Sequence, residues 1–527
     1  MPQLRLASTH DVRLSLITRA EIALIDLREE DPFAQAHPLF AANFPLSRLE
    51  LEAWDRIPRR DTPIVVYDDD GSLVRRGVAV LEALGYTDVR VLDGGLTGWA
   101  AAGGEIFRDV NVPSKSFGEL VEAEAHTPSL PAPDVKALLD DGADVVVLDA
   151  RRFEEYRTMS IPTGISVPGA ELVLRAPTLA PDPKTTIIVN CAGRTRSLIG
   201  AQSLRNAGLP NPIYALRNGT IGWTLAGQVL DHGQERRFTD VDADAAAIAR
   251  DRARKVAYRA GVRWIGLDGL TSLERETGRT LYRLDVRTPQ EYADGHLPGF
   301  RSAPGGQLVQ ETDHSAPVRG ARIVLFDDLS ARADMSASWL AQMGWDVLVL
   351  ENVPASALTE TGPNRIHHPD PGHVELISPS HLLRLLTDGP ATLLDFAPGP
   401  TWRRGHIAGS RFIIRARLGQ DLHRDPLSGP LILTSPDGLL ARFAAKEVAA
   451  LTGRPPLVLE GGTDAWVRAG LPLVAGSEGN LSEFDDVYRR PYEGTDNPHS
   501  AMQAYLDWEF GLVEQLRRDG THGFYVI

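Results

Sequence analysis

The sequence VVVLDAR, residues 145–151, is an apolar run that ends in Asp-Ala-Arg. Similar runs occur three more times in the chain, as IALIDLR (22–28), LYRLDVR (281–287) and ATLLDFA (391–397). A short apolar run with a polar end is typical of a buried β-strand. Its recurrence indicates that one structural unit is used four times.

A second apolar run follows each of these strands, and it reads PIVVYD (63–68), IIVNC (187–191), IVLFD (323–327) and LILTS (431–435). From the Asp of the first run to the last residue of the second, the separations are 42, 42, 42 and 40 residues. Each second run is followed by a helical pattern and then by another short strand. This alternation predicts crossover units and a mostly parallel sheet that is flanked by helices.

We therefore predict an α/β protein with four repeated domains and a C-terminal helical tail. The predicted domains and connections are 1–109, 125–232, a helical linker at 233–261, 262–353, 372–475 and the tail at 476–527. Domains 1 and 2 are predicted to pair with each other, and so are domains 3 and 4. Residues 110–127 and 354–373 are Pro-rich or polar, so they are predicted to be linkers.

The tail, residues 476–527, carries apolar residues near helical spacing. They are Met502, Tyr505, Leu506, Leu512, Val513 and Leu516. Such spacing predicts an amphipathic helix that must bury one face. We expect it to dock on the body of the protein, and an interface with a partner is the alternative.

The composition of the chain argues against several classes of function. The 527 residues are 43% hydrophobic and 24% charged, with a net charge of −15, which argues against binding to nucleic acid. No apolar stretch reaches the length of a membrane span, and residues 1–13 do not resemble a signal peptide, so a cytoplasmic protein is expected. One cysteine excludes an intrachain disulfide, and the 14 His residues show no metal-ligand spacing, so neither metal nor cofactor is expected.

The second unit carries a nucleophile where its second strand meets its helix. The segment Cys191-Ala192-Gly193-Arg194-Thr195-Arg196-Ser197, here called the Cys191 loop, would lie at the carboxyl end of a parallel strand, where α/β proteins hold their ligands. Backbone N–H groups and two Arg residues are expected to lower the pKa of the thiol. In the alternative interpretation, Cys191 is an inert buried residue and the Arg side chains are surface charges or packing stems.

The chain resembles the rhodanese-type sulfurtransferases from about residue 10 to residue 475, which leaves the tail unmatched. The resemblance lies in the Asp-x-Arg strand ends, in the GHLPG (295–299) and GHIAG (405–409) turns, and in a six-residue turn from Cys191 to Arg196. It implies that Cys191 carries sulfur as a persulfide and that residues 192–197 bind the substrate. Arg194 and Arg196 would attract an anionic donor such as thiosulfate, whereas Asp149 and Arg151 would support the loop.

The other three units depart from this pattern. They have Asp68, Asp327 and Ser435 where unit 2 has Cys191, so they are expected to be inactive. Unit 2 has SIPTG (160–164) in place of the usual turn, so its substrate pocket is expected to differ. With a single thiol the sulfur must leave to an external acceptor, cyanide or a thiol. A homodimer is an open alternative.

Two other functions are alternatives to sulfur transfer. A phosphatase or arsenate reductase of the same fold needs Arg six positions after Cys, whereas Arg196 is five positions after Cys191, which makes this alternative weak. A sulfur carrier or scaffold built from recognition modules would agree with three units that lack a nucleophile. The sulfurtransferase interpretation predicts that Cys191→Ser abolishes the function, whereas the scaffold interpretation predicts that the function remains.

Overall fold

The computed structural model describes residues 4–424 and 426–527, and within these ranges it contains four five-stranded sheets. All strand pairs within each sheet are parallel, and the order of strands is the same in all four. The repeat of the sequence is therefore a repeat of structure. We call the parts of the chain that form these sheets units 1 to 4.

Unit 1 forms a sheet with the order β1-β5-β4-β2-β3, and unit 2 repeats it as β6-β10-β9-β7-β8. The elements of unit 1 are β1 Leu6–Ala7, α1 Thr9–Thr18, β2 Ala23–Asp26, α2 Glu30–Gln35, β3 Ala42–Asn43, α3 Leu49–Arg56, β4 Ile64–Tyr67, α4 Val74–Ala83, β5 Val89–Leu92 and α5 Gly95–Ala101. After helix α6, Val112–Ala125, unit 2 contains β6 Ser129–Leu130, α7 Ala132–Asp140, β7 Val145–Asp149, α8 Phe153–Thr158, β8 Ile165–Ser166, α9 Leu172–Leu179, β9 Thr186–Asn190, α10 Thr195–Asn206, β10 Ile213–Leu216 and α11 Gly219–Leu225.

Helix α12, Ala243–Arg259, leads into the second half of the chain. Unit 3 contains β11 Arg263–Ile265, α13 Leu267–Glu274, β12 Leu281–Asp285, α14 Pro289–Asp294, β13 Arg301–Ser302, α15 Gly305–Gln310, α16 Thr312–Ser315, β14 Arg322–Phe326, α17 Ala331–Gln342 and β15 Asp346–Leu350. Unit 4 contains β16 Glu375–Ile377, α18 Pro379–Asp388, β17 Thr392–Asp395, α19 Gly399–Arg404, β18 Ser410–Phe412, α20 Leu418–Asp421, β19 Leu431–Thr434, α21 Leu439–Thr452, β20 Leu457–Leu459 and α22 Gly462–Arg468; the tail contains α23 His499–Phe510 and α24 Leu512–Asp519.

The central strands are apolar because helices cover both faces of each sheet. In β9 the side chains of Ile187, Ile188 and Val189 are fully buried. Helix α12, which the Ala-rich sequence predicts, packs against α9 of unit 2 and α17 of unit 3. It therefore bridges these two units rather than only connecting them.

The segment 110–127, predicted to be a linker, is instead a buried helix. Helix α6 begins with Pro113 in its first turn, where the missing N–H costs nothing, and its residues from Val112 to Val121 are buried. It packs against α10 of unit 2 and against α24 of the tail. Two of the charged residues in this segment, Lys115 and Glu119, are buried in ion pairs, which a composition argument does not detect.

The predicted pairing of domain 1 with domain 2, and of domain 3 with domain 4, is wrong. In each unit a turn follows the edge strand, which is β3, β8, β13 or β18, and this turn contacts the corresponding turn of another unit. These contacts join unit 2 to unit 3 and unit 1 to unit 4. At the first interface the backbones of Gly169 and Gly306 lie so close that a Cβ on Gly306 would be 2.9 Å from the Gly169 nitrogen. At the second, the Ala416 N–H donates to Ser47 Oγ at 3.0 Å.

The tail docks on the body of the protein, as its apolar spacing predicts. Met502, Tyr505 and Leu506 of α23 form a buried cluster with Ile221 of α11. Within residues 4–424 and 426–527, no helix is long and apolar enough to cross a membrane. The tail is thus part of the folded body, and its helix α23 lies on unit 2.

Candidate active site

The Cys191 loop connects the end of β9 to the start of α10. Its carbonyl groups are held by the first turn of α11, since the Thr220 N–H donates to the Cys191 oxygen at 2.9 Å and the Ile221 N–H donates to the Ala192 oxygen at 3.0 Å. Gly219 has a φ of +53°, and a Cβ there would lie 2.3 Å from the Cys191 oxygen. Only glycine allows this approach, so α11 fixes the shape of the loop.

The thiol of Cys191 is almost completely buried, with 2% of the residue exposed. Its Sγ lies 3.5 Å from Ser197 Oγ, which in turn donates to the Arg194 carbonyl at 2.8 Å. Burial raises the pKa of the thiol above its ordinary value, and Arg196 and Ser197 oppose this shift only in part. The expectation of a lowered thiol pKa is therefore wrong, because loss of water outweighs the nearby cation.

Arg196 is the cation that acts on the thiol. Its guanidinium forms a bidentate ion pair with Glu155 of α8, with N–O distances of 2.8 and 2.9 Å. The same pairing lowers the pKa of the Glu155 carboxyl to about 2, in spite of its burial. Arg196 is thus held rigidly beside Cys191 with most of its charge compensated.

Arg194 does not face the thiol side of the loop. Its guanidinium forms buried ion pairs with Glu119 and Glu122 of α6, and it lies 4.2 Å above the ring of Phe510. Arg194 therefore joins the loop to α6 and to the tail, and the expectation that it attracts an anion is corrected. Thr195 faces the same helix, since a Cβ on Gly118 would be 2.9 Å from its Cγ2.

Asp149 and Arg151 lie at the carboxyl end of β7 and support the end of the sheet that carries the Cys191 loop. The Arg151 guanidinium donates to both Asp149 oxygens, at 2.9 and 2.8 Å, and to the Met159 carbonyl at 2.6 Å. Asn190, the residue before the cysteine, donates to Asp149 at 2.7 Å. The same pairs occur in units 1 and 3, as Asp26 with Arg28 and Asp285 with Arg287, so the motif belongs to the fold.

Sequence reasoning missed the contribution of the tail to this site. A Cβ on Gly193 would lie 3.1 Å from Tyr505 Cε1 and 3.2 Å from Glu509 Oε2, so α23 lies directly on the loop. Tyr505 donates to Glu509 Oε1 at 2.8 Å. The spacing of apolar residues included Tyr505, but nothing in the sequence alone placed this helix on the Cys191 loop.

A cleft of about 230 Å³ opens beside Arg196. Its walls come from unit 2, unit 3 and the tail, and its lining includes four Arg, four Glu and one Tyr: Arg151, Arg152, Arg196, Arg490, Glu154, Glu155, Glu311, Glu493 and Tyr492. It is large enough for a small anion, and Arg196, the cation that acts on the thiol, is part of its lining. In the described part of the chain no cluster of His, Cys, Asp and Glu could hold a metal ion.

The corresponding loops of the other units are filled by their own side chains. Asp68 accepts hydrogen bonds from the N–H groups of Gly71 and Leu73, both at 2.6 Å. Asp327 accepts from the Arg332 Nε at 2.9 Å, and Ser435 Oγ accepts from the Ala441 N–H at 3.3 Å. These side chains accept hydrogen bonds from the N–H and guanidinium groups that would otherwise bind an anion.

Comparison with known proteins agrees with this architecture. A solved structure of thiosulfate sulfurtransferase from Pseudomonas aeruginosa is 60% identical, covers 99% of this chain and 100% of its own, and superposes with a TM-score of 0.98. Thiosulfate sulfurtransferase from Azotobacter vinelandii is 25% identical over 202 residues, which is 34% of this chain and 73% of that protein. SseB of Mycobacterium tuberculosis is 34% identical over 125 residues, 22% of this chain, and the chain spans only 43% of its length.

The Rhodanese-like domain family matches residues 9–102, 131–226 and 271–352, which correspond to units 1, 2 and 3 and make up more than half of the chain. Unit 4 lies outside these matches, but its sheet has the same strand order. The repeated fold, the Cys191 loop and these matches lead to one conclusion. The chain belongs to the rhodanese family.

Proposed function

We propose that this protein is a thiosulfate sulfurtransferase with one active site, in unit 2. The observation that carries the proposal is the position of Cys191. It is the one thiol of the chain, it ends β9 in a loop shaped by backbone hydrogen bonds, and Arg196 lies beside it. The relative from Pseudomonas aeruginosa, which bears this activity in its name, has the same fold throughout.

In the first half of the reaction, the Cys191 thiolate attacks the outer sulfur of thiosulfate. An S–S bond forms at Sγ, the S–S bond of thiosulfate breaks, and its electron pair leaves with sulfite. Arg196 stabilises the anionic donor and the leaving sulfite, while the N–H groups at the start of α10 stabilise the persulfide anion. In the second half, cyanide or a thiolate attacks the terminal sulfur, and the thiolate of Cys191 is regenerated.

Burial of the thiol agrees with a small substrate. Arg196, the cation that acts on Cys191, lines a cleft of about 230 Å³, a volume that suits thiosulfate and cyanide better than a protein acceptor. The filled loops of units 1, 3 and 4 support roles in assembly rather than in catalysis. We place the reaction in the cytoplasm, where thiol acceptors are kept reduced.

Intact mass spectrometry after incubation with thiosulfate tests the proposal. We expect the wild-type chain to gain one sulfur, about 32 Da, and to lose it on addition of cyanide. Cys191→Ser should gain nothing. If neither thiosulfate nor a low-molecular-weight persulfide loads the wild-type chain, the protein is not a sulfurtransferase and the scaffold interpretation takes its place.

A further inference from the structure

Glu509 of helix α23 is a buried acid that the reaction described so far does not use. None of its surface is exposed, and it lies on the Cys191 loop, where its Oε2 is 3.2 Å from the position of a Cβ on Gly193. Its two oxygens differ, because Oε1 accepts a hydrogen bond from Tyr505 at 2.8 Å, whereas Oε2 has no hydrogen-bond partner in the described residues. A buried polar atom without a partner costs free energy unless a ligand satisfies it.

The groups around Glu509 determine its charge. Helix α6 presents Lys115 and Glu119, the loop presents Arg194 and Cys191, and Tyr505 lies on α23 itself. Arg194 is already paired with Glu119, and Lys115 with Asp109 at 2.7 Å, so neither cation is committed to Glu509. Burial, together with the Glu119 carboxylate, raises the pKa of Glu509 to about 8.

A carboxyl group that is neutral carries one O–H donor. Since Oε1 accepts the hydrogen bond from Tyr505, Oε2 is the oxygen available to carry the proton, and it has no protein acceptor in the described residues. An anionic substrate at the Cys191 loop would provide that acceptor.

We propose that Glu509 completes the active site by donating a hydrogen bond from Oε2 to the anionic sulfur donor as it reacts at Cys191. The proposal rests on the proposed sulfurtransferase function and adds a residue from outside the repeated units. Once ionised, Glu509 would instead repel a dianion such as thiosulfate and oppose formation of the Cys191 thiolate. The tail therefore limits sulfur loading to the pH range in which Glu509 is protonated.

The test is the rate of persulfide formation with thiosulfate between pH 6 and pH 9.5, followed by intact mass. Because the thiolate fraction grows with pH in every variant, the wild-type rate is divided by the Glu509→Gln rate, and we expect this ratio to decline above about pH 8. Glu509→Ala should lower the rate at pH 7 by at least about tenfold, as loss of a donor to a developing anion does. Glu509→Gln, which keeps a donor and cannot ionise, should restore most of that rate.

Controls separate the possible outcomes. Glu514→Gln changes an exposed acid of α24 and should leave the profile unchanged, while alkylation by uncharged iodoacetamide should not decline above pH 8. Equal profiles for wild type and Glu509→Gln, or equal losses for the Gln and Ala variants with unchanged melting temperature, would overturn the role of Glu509. If the wild-type chain never gains sulfur, the proposed function itself fails.

Discussion

Reactivity at the scale of single residues depends on how charge around Cys191 is balanced. Burial raises the pKa of the thiol, and Arg196 opposes this shift. Glu155 reduces that effect because its carboxylate pairs with both terminal nitrogens of the same guanidinium. Since the thiol pKa is raised, the thiol is mostly protonated at neutral pH, and the thiolate fraction grows as pH rises through that pKa.

We therefore predict that Glu155→Gln makes Cys191 more reactive at pH 7. The amide removes the compensating negative charge, so Arg196 stabilises the thiolate more strongly and the thiol pKa falls. The initial rate of alkylation by iodoacetamide, measured against pH, should shift its midpoint to lower pH. The variant should also lose about 1–3 kcal/mol of stability, because a charged hydrogen-bonded pair is lost.

Glu235→Gln is the matched control for this variant, since Glu235 is exposed, pairs with Arg157 of the same helix α8 and does not line the cleft. Its alkylation profile should superpose on that of the wild type. A midpoint in Glu155→Gln equal to the wild-type midpoint would mean that Arg196 does not control the thiol.

At the scale of elements, the strands could be predicted from sequence, whereas helix α6 and the contact of α23 with the Cys191 loop could not. The four apolar runs that end in Asp define β2, β7, β12 and β17 because a strand covered on both faces must be apolar. Helix α6 was missed because its polar side chains, Lys115 and Glu119 among them, are buried through ion pairs. The contact of α23 with the loop brings together residues about 300 positions apart, which a local pattern does not encode.

The same reasoning applies to the candidate site. The position of Cys191 followed from the repeat, because the end of the second strand falls at the same spacing in each unit. The pKa of its thiol did not follow, because burial beneath α23 depends on tertiary packing. Substrate binding by Arg194 was predicted for a related reason. Its partners Glu119 and Glu122 lie on α6, in a segment that was predicted to be a linker.

We predict that loosening α23 opens the site to larger reagents. Leu506 is 1% exposed in the cluster that holds α23 on α11, and truncation of a buried Leu costs about 2–5 kcal/mol. Leu506→Ala should therefore accelerate the reaction of Cys191 with a bulky aromatic disulfide more than its reaction with iodoacetamide. Leu451→Ala, at an exposed position of α21, is the control, and equal acceleration with both reagents would contradict a covering role for the helix.

At the scale of the whole molecule, unit 3 is tied directly to the catalytic unit. Arg332 lies five positions after Asp327, as Arg196 does after Cys191, but it forms an ion pair across the interface with Glu171 of unit 2 at 2.9 Å. Trp339 of unit 3 donates to Ser203 of α10 at 2.9 Å. Arg332 at the loop of unit 3 and Trp339 on its helix α17 thus both hold unit 2, and Trp339 contacts the helix that starts at the Cys191 loop.

The close approach of Gly306 to Gly169 gives a direct test of this dependence. In Gly306→Ala the added Cβ would lie 2.9 Å from the Gly169 nitrogen and 3.1 Å from the Ala170 nitrogen, and backbone cannot rotate away as a side chain can. Units 2 and 3 must therefore move apart, at a cost of about 1–3 kcal/mol, which is typical of overpacking.

We predict a lower melting temperature for Gly306→Ala and a lower rate of persulfide formation, because the cleft beside Arg196 takes Gln307 and Gln310 of α15 as part of its wall. Gly278→Ala is the matched control, since it has no atom within 4 Å of the added Cβ and should retain both properties. Should Gly306→Ala melt earlier yet load sulfur at the wild-type rate, the interface would stabilise unit 2 without shaping its site. The retention of unit 3, which has Asp327 in place of the cysteine, would then be explained by stability alone.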